Sequence, residues 1–181
     1  MTPEEHTRHK PLPPVELLRE LFRYDRDTGL LIRNRPGRKV RVGQAVGWPT
    51  PRGYLSTVIN RSKYSVHRII YAMAHGKDPG LYEIDHIDGD KQNNRLENLR
   101  LATRNQNLAN GPANRNAACQ FRGVSFFKPI KKWAAKIQFQ NKSKSLGYFD
   151  SPEQAARAYD EAATRLFGEF ARPNFPQERR A

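Results

Sequence analysis

The chain contains little of what builds a disulfide-stabilised or membrane-spanning protein. Its 181 residues include one cysteine, Cys119, which excludes an internal disulfide and a zinc site built on several cysteines. No segment approaches the roughly 20 apolar residues of a transmembrane helix. The polar, proline-containing N-terminus also lacks the apolar core of a signal peptide. These absences predict a soluble intracellular protein, with no membrane partner.

Acidic residues are also in the minority. Lys and Arg number 32 against 18 Asp and Glu, which gives a formal net charge of +14. Such an excess favours a polyanionic partner, and nucleic acid is the first candidate. An anionic membrane surface fits less well, because the chain has no basic amphipathic helix with large apolar residues.

Apolar periodicity predicts two helices and three short strands in the N-terminal half of the chain. They are helices at 15–22 and 69–74 and strands at 30–32, 53–60 and 64–67. The turn sequence Asp27-Thr28-Gly29 precedes the first strand, residues 61–63 join the other two, and the second helix is expected to end near Gly76.

Residues 82–110 contain the clearest chemical pattern. Tyr82 to Ile87 alternate as a strand, which places Asp85 and His86 on opposite faces. A loop rich in Asp, Gly and Asn follows, and then a second short apolar element. The sequence Thr103-Arg104-Asn105-Gln106 is a capping box, so a helix carrying Asn107 is expected to begin there.

These residue types suit phosphodiester cleavage. Asp85 can hold a hard divalent cation, to which Asn107 would add an amide oxygen. Mg²⁺ is expected from its availability and its preference for oxygen ligands, and Mn²⁺ also fits. A neutral His86 can accept a proton from water, because its ordinary pKa lies near the working pH. An isolated Asp-His pair, however, more often has a capping or surface role.

The segment as a whole resembles the HNH endonuclease family, as found in phage and intron-encoded homing enzymes. The resemblance covers about thirty residues and consists of the strand ending in Asp85-His86, the loop, the run NNRLENLR and Asn107. It implies that His86 is the general base and that Asp85 and Asn107 are metal ligands. Asn98 corresponds to the middle asparagine, which ties the loop back onto the fold.

Other polar residues near this segment have weaker indications. Asp88, Asp90, Asn93 and Asn94 are expected to form turns around Gly89.

The pair His67-Arg68 also occurs in this subgroup of the family. Arg68 is a candidate clamp for the scissile phosphate, with a solvated side chain as the alternative, and His67 is expected to pack against the core.

The C-terminal third predicts three strands and a helix. Residues 133–140 alternate with period two, and 121–127 and 143–149 are the flanking strand candidates. Ser151-Pro152-Glu153-Gln154 starts a helix with a small apolar face, and Gly168 ends it. The sheet segment is basic and has no Asp or Glu, so its open face is a candidate DNA-binding surface. Together with Arg68 of the first half, the candidate DNA contacts in this segment are Arg122, Lys128, Lys132, Lys136, Gln138, Lys142 and Lys144.

This region resembles the Apetala-two/ethylene-response DNA-binding domain over about fifty-five residues. The matching pairs and triplets are Gly123-Val124, Ala134-Ala135, Leu146-Gly147, Ala155-Ala156, Ala158-Tyr159-Asp160 and Asn174-Phe175. Arg122 and Gly123 coincide with DNA-contacting positions of the family. Residues such as Lys136 and Gln138 depart from the plant members, so the resemblance implies the fold but not the base preference.

The sequence therefore predicts an α+β protein. A small ββα-metal (HNH) nuclease core has an N-terminal hairpin and helix extension, and a three-stranded antiparallel sheet packs on one helix. The predicted divisions are a flexible N-terminus 1–12, a nuclease region 13–110 with its core motif at 82–110, a linker 111–120, a DNA-binding domain 121–176 and a tail 177–181.

The favoured function is a phage-type homing endonuclease that acts on double-stranded DNA as a monomer or homodimer, in the host-cell cytoplasm if a phage encodes it. It would nick or cut both strands, with no cofactor besides the metal. A DNA-binding regulator with an inactive HNH segment and an RNA-directed nuclease or binder are the alternatives.

Overall fold

The computed structural model describes residues 10–36, 41–111 and 119–176. The chain divides into two compact units, Met1–Ala102 and Thr103–Ala181. Both contain helices and small antiparallel sheets, so the predicted α+β class is confirmed. Most of the predicted linker, residues 112–118, lies outside the described residues, as do 1–9 and 177–181 of the predicted N-terminus and tail. No helix in the described ranges combines the length and apolarity needed to cross a membrane.

The first unit contains two α-helices and seven short strands in its described part. In chain order they are α1 (Val15–Leu21), β1 (Phe22–Tyr24), β2 (Leu31–Arg33), β3 (Trp48–Pro49), β4 (Leu55–Ile59), β5 (Ser62–Ser65), α2 (Val66–His75), β6 (Glu83–His86) and β7 (Leu99–Ala102). Strands β1 and β2 form a hairpin, β3, β4 and β5 form a three-stranded sheet, and β6 pairs with β7. Leu18, Phe22, Leu31, Ile69 and Ile70 are at most 1% exposed and form the centre of the core. Because β6 and β7 also contribute to this core, α2 supports the strand pair that holds the Asp-His sequence.

The hairpin before α2 differs from the sequence-based prediction in where it turns. Asn60 and Arg61 have φ angles of 48° and 63°, and β5 begins at Ser62. Two-residue hairpin loops of this kind require positive φ at both central positions, so the turn is tighter than the predicted 61–63 connection. The helix then begins at Val66, and His67 therefore belongs to α2 and not to the strand. Helix α2 ends at Gly76, as predicted, and Gly76 adopts the left-handed conformation.

The second unit contains α3 (Arg104–Asn110), β8 (Val124–Phe127), β9 (Lys132–Phe139), β10 (Lys142–Phe149) and α4 (Pro152–Phe167). The three strands form an antiparallel sheet in the order β10-β9-β8, and α4 packs on it. Buried Ala155 and Ala156 allow the helix to approach the sheet closely. Ser151 accepts a hydrogen bond from the Gln154 N–H, which confirms the predicted start of α4.

Helix α3 begins with the predicted capping box. The Thr103 side chain accepts a hydrogen bond from the Gln106 N–H, and the Gln106 side chain accepts one from the Thr103 N–H. The helix packs against α4 and against the short 3₁₀ turn Gly168–Phe170. The helix that completes the ββα order of the motif thus belongs to the same compact unit as the C-terminal sheet.

One strand position departs from the predicted alternation. The period-two alternation of 133–140 puts Ala134 on the same face as Lys136 and Gln138, but Ala134 is only 2% exposed. Tyr148 lies directly across from it on β10, and the rings of Phe127 and Tyr148 are 5.3 Å apart on that part of the sheet. The open face is therefore partly covered by its own aromatic side chains.

Candidate active site and DNA-binding surface

Strand β6 brings Asp85 and His86 into the interior of the first unit. Its register with β7 places Asp85 opposite Arg100 and His86 opposite Leu99. Asp85 and His86 are each only 3% exposed. A buried Asp-His pair needs partners for its polar atoms, and the surrounding elements supply them.

The Asp85 carboxylate is paired with a guanidinium. Nε and Nη2 of Arg100 both lie 2.9 Å from Oδ2 of Asp85. Two donors that converge on one oxygen fix the orientation of the carboxylate and compensate its buried charge.

The His86 imidazole is oriented by a buried amide. Its Nε2 lies 3.0 Å from Oδ1 of Asn94, which is 2% exposed. Because an amide oxygen only accepts hydrogen bonds, Nε2 carries a proton and donates to it. In a neutral imidazole with this arrangement, Nδ1 is the basic atom, and the general-base role of His86 stays a prediction.

Two aromatic side chains enclose His86. The ring of His67 lies 5.1 Å from that of His86 in an edge-on arrangement, and the Tyr54 ring lies 5.1 Å from His67 and 5.9 Å from His86. Burial lowers the pKa of His67 to about 3, with smaller contributions from His86 and Arg68. His67 is therefore a neutral packing residue, as its predicted core position implies.

Asn98 braces the loop that follows β6. Its amide nitrogen donates to Oδ1 of Asp88 at 2.9 Å and to the Asn93 carbonyl at 2.8 Å, and its oxygen accepts from the Asp88 N–H at 3.0 Å. Partial burial raises the pKa of Asp88, but hydrogen bonds from Asn93 and Asn98 outweigh this effect and lower the pKa below its ordinary value. These contacts support a loop-tying role for Asn98.

Arg68 of α2 is engaged by the segment before β6. Its guanidinium donates to the carbonyls of Tyr82 and Gly80 and to Oδ1 of Asp78, at 2.8, 2.5 and 2.7 Å. The Asp78 carboxylate also accepts the Leu12 N–H at 2.6 Å. Arg68 thus holds this segment onto α2, and its contact with a phosphate stays a prediction.

The donor chemistry of the predicted metal ligands fits a hard cation. Asp85 on β6 offers a carboxylate and Asn107 on α3 offers an amide oxygen. Within the described ranges, no group of three or more His, Cys, Asp and Glu side chains is arranged to hold a metal ion. Asp85 and Asn107 therefore stay the predicted ligands of a divalent cation.

The predicted DNA-binding residues of the sheet do not all share one face. Lys132, Lys136 and Gln138 lie on the open face, with Ser145 paired to Lys136 and Ser143 paired to Gln138. Lys142 and Lys144 pair with Phe139 and Ile137 and therefore lie on the α4 side of the sheet, although both are exposed. Lys128 is exposed in the 3₁₀ turn after β8.

Arg122 and Gly123 have structural contacts inside the second unit. The Arg122 guanidinium donates to the carbonyls of Ala109 and Gly111 at the end of α3. Gly123 has a φ of 72°, and a Cβ atom there would lie 2.1 Å from Cδ2 of Tyr159. The contacts of these two residues with DNA stay predictions.

Sequence reasoning missed Asn94 and Arg100 as parts of the site. Asn94 has the same residue type and loop position as Asn93, and only its burial distinguishes it. Arg100 could have been found from the pairing of β6 with β7, which places it opposite Asp85. An arginine opposite a buried aspartate on a paired strand is a candidate ion pair.

Comparisons with known proteins find similarities in both halves of the chain. A family model described as HNH endonuclease matches residues 64–109, and one described as AP2 domain matches residues 119–169. The chain is 37% identical over 113 residues to an uncharacterized HNH endonuclease of Acanthamoeba polyphaga mimivirus, a match that covers 62% of this chain and 58% of the relative.

Two further relatives match different parts of the chain. Protein 3.8 of Escherichia phage T7 is 32% identical over 106 residues, which cover 59% of this chain and 87% of the relative. Dehydration-responsive element-binding protein 2E of Oryza sativa subsp. japonica is 48% identical over 68 residues, which cover 36% of this chain and 21% of the relative. This chain therefore spans just over half of the mimivirus protein and about a fifth of the rice protein. No solved structure shows significant similarity to it.

Proposed function

We propose that this chain, which belongs to the HNH endonuclease family and carries an AP2 domain, is a metal-dependent enzyme that hydrolyses phosphodiester bonds of double-stranded DNA. The observation that carries the proposal is the arrangement around His86. The imidazole is buried beside Asp85, and its Nε2–H donates to Asn94. A neutral histidine whose Nε2 carries the proton is basic at Nδ1.

The proposed reaction begins with water and a phosphodiester in the active site. His86 accepts the proton of the attacking water at Nδ1, while its hydrogen bond to Asn94 keeps the ring in orientation and stabilises the imidazolium that forms. Asp85 and Asn107 are the residues proposed to hold Mg²⁺, or Mn²⁺ in its place. The bound cation would neutralise charge on the phosphate and on the leaving oxygen. Asn98 holds the loop after β6 in place through its contacts with Asp88 and Asn93.

DNA recognition is proposed for the open face of the C-terminal sheet. Lys136 and Gln138 are exposed there and are adjacent positions of one face of β9. A lysine contributes phosphate contacts and a glutamine can pair with adenine in the major groove. A nuclease that carries its own DNA-binding domain is suited to act as a homing endonuclease. The relatives from mimivirus and phage T7 support that assignment.

One observation favours a second function, a DNA-binding regulator without nuclease activity. Arg100 is ion-paired with Asp85, the proposed metal ligand, at 2.9 Å. A guanidinium that competes with a cation for this carboxylate would leave a protein that binds DNA but does not cut it.

A plasmid assay separates the two functions. Supercoiled DNA is incubated with the full chain and Mg²⁺, with and without a chelator, beside His86→Ala and Asp85→Ala. His75→Ala is the matched control, because His75 is an exposed histidine of α2 that is stacked on Tyr71. We expect wild type and His75→Ala to cut the supercoiled plasmid only when metal is present. His86→Ala and Asp85→Ala should leave it supercoiled. Open circles indicate nicking and linear DNA indicates double-strand cutting. Wild-type protein that shifts the DNA on a gel but leaves it intact supports the regulator.

A further inference from the structure

An arginine from the C-terminal domain closes the end of the helix that carries Asn107. Nη1 of Arg122 donates to the Ala109 carbonyl at 3.1 Å, and Nη2 donates to the Gly111 carbonyl. The last carbonyls of a helix have no partners within the helix itself. A guanidinium at this end supplies two donors and a positive charge that complements the helix dipole.

Arg122 is itself linked to α4 through Asn174. Its N–H donates to Oδ1 of Asn174 at 2.6 Å, and the Asn174 amide donates back to the Arg122 carbonyl at 3.3 Å. Asn174 in turn donates its N–H to Oδ1 of Asp160 on α4 at 2.7 Å. A continuous set of hydrogen bonds thus links α4 to the C-terminal end of α3.

Helix α3 depends on such contacts for its position. It has seven residues, and a helix of that length is not stable alone in water. Its buried residues, Ala109 and Asn110, are at the end where Arg122 binds. Asn107, one of the two proposed metal ligands, is two residues before Ala109.

We infer that Arg122 is a positioning residue of the nuclease: by capping α3 from the C-terminal domain, it fixes the backbone that presents Asn107. The inference rests on the proposed function, in which Asn107 binds the metal. The AP2 domain then supports metal binding through the backbone of α3, besides the DNA recognition proposed for its sheet. This role of Arg122 differs from the base or phosphate contact that the family resemblance implies for it.

The test measures metal binding in the full chain without DNA. Mn²⁺ affinity is determined by electron paramagnetic resonance for wild type, Asn107→Ala, Arg122→Ala and Arg122→Lys, and DNA affinity is measured separately with chelator present. Arg165→Ala is the matched control, because Arg165 is an exposed arginine of α4. We expect Arg122→Ala to raise the Kd for Mn²⁺ on the order of tenfold. Arg122→Lys should fall between it and wild type, since one ammonium group does not reproduce the planar fork of two donors. Arg165→Ala should bind Mn²⁺ like wild type.

The opposite pattern overturns the inference. If Arg122→Ala or a fully folded Arg122→Lys binds Mn²⁺ like wild type, Arg122 does not position the metal site, while wild-type cleavage would leave the proposed function intact. Weaker DNA binding with unchanged Mn²⁺ affinity would assign Arg122 to DNA contact instead. If Arg122→Ala does not melt cooperatively, the lysine variant decides. Wild-type protein that neither binds Mn²⁺ nor cuts DNA refutes the proposed function, and the inference with it.

Discussion

Arg100 and Asp85 face each other across β6 and β7, and two guanidinium nitrogens lie 2.9 Å from the same carboxylate oxygen. The side chain of Asp85 is 4% exposed and that of Arg100 is 14% exposed, so water screens this pair weakly. The ion pair therefore compensates a charge that the fold has placed in its interior, at the position proposed to bind metal.

Replacement of Arg100 should destabilise the first unit. We expect Arg100→Ala to lower the free energy of unfolding by about 3 kcal/mol in metal-free buffer, because it leaves a buried carboxylate without its partner. Urea unfolding of Arg100→Ala and of the double variant Asp85→Asn/Arg100→Ala measures this, with exposed Arg23→Ala as control. The double variant should recover most of the loss. If it is as unstable as Arg100→Ala alone, the uncompensated charge is not the cause.

Asn94 should control the rate of cleavage through His86. Asn94→Ala removes the acceptor of the His86 Nε2–H and should reduce kcat by up to about 100-fold, with little change in the Mg²⁺ concentration needed for half-maximal rate. Steady-state kinetics at several Mg²⁺ concentrations separate the two parameters. Gln92→Ala, at an exposed position of the same loop, serves as control. A normal kcat in Asn94→Ala would show that this hydrogen bond does not orient the base.

His67 should make the protein less stable in mild acid. Its pKa is about 3 in the folded state, since burial disfavours the charged ring, against about 6.5 in the unfolded chain. Only the unfolded chain binds this proton between those values. The contribution of His67 to stability is therefore complete above pH 6.5 and is lost as the pH falls towards 3. It should amount to about 2 kcal/mol between pH 7 and pH 5.

The change in unfolding free energy between pH 7 and pH 5 provides the measurement. His67→Phe should reduce this change by about 2 kcal/mol, whereas His75→Phe, at an exposed position of the same helix, should retain the wild-type dependence. An unaltered pH dependence in His67→Phe would mean that other groups dominate the acid sensitivity.

Features set by local sequence were predictable, and features set by tertiary packing were not. The capping box at Thr103 and the end of α2 at Gly76 follow from a few neighbouring residues, and both are present. Asn94 resembles an ordinary turn former in sequence, and its pairing with His86 arises only when the loop folds back over β6. Likewise, the burial of Ala134 depends on aromatic side chains from two other strands.

Gly123 should be required for the fold of the second unit. Its φ is 72°, and a Cβ atom would lie 2.1 Å from Cδ2 of Tyr159 and 2.7 Å from the Lys136 carbonyl oxygen. Gly123→Ala should therefore cost about 3 kcal/mol or more, the sum of backbone strain and steric overlap. Gly168→Ala is the matched control, because Gly168 has a φ of 55° but nothing within 4 Å of its Cβ position.

Thermal melting of both glycine variants separates backbone strain from the clash. Gly168→Ala should show only the backbone strain, about 1–2 kcal/mol. If Gly123→Ala melts like Gly168→Ala but binds DNA more weakly, the glycine is needed for DNA approach and not for packing against Tyr159.

Lys136 and Gln138 should contribute to DNA binding in different ways, although they are neighbours on the open face of β9. A lysine that contacts a phosphate releases a counterion, so Lys136→Ala should weaken binding to all sequences and reduce the slope of log affinity against log salt by about one. Gln138 is uncharged, so Gln138→Ala should leave the slope unchanged and cost about 1–3 kcal/mol only on the preferred site. Binding titrations at several salt concentrations, on preferred and random duplexes, distinguish these effects, with Arg165→Ala as control. If Gln138→Ala weakens binding equally on both duplexes, the open face positions the DNA without reading its sequence, and base recognition must come from another surface.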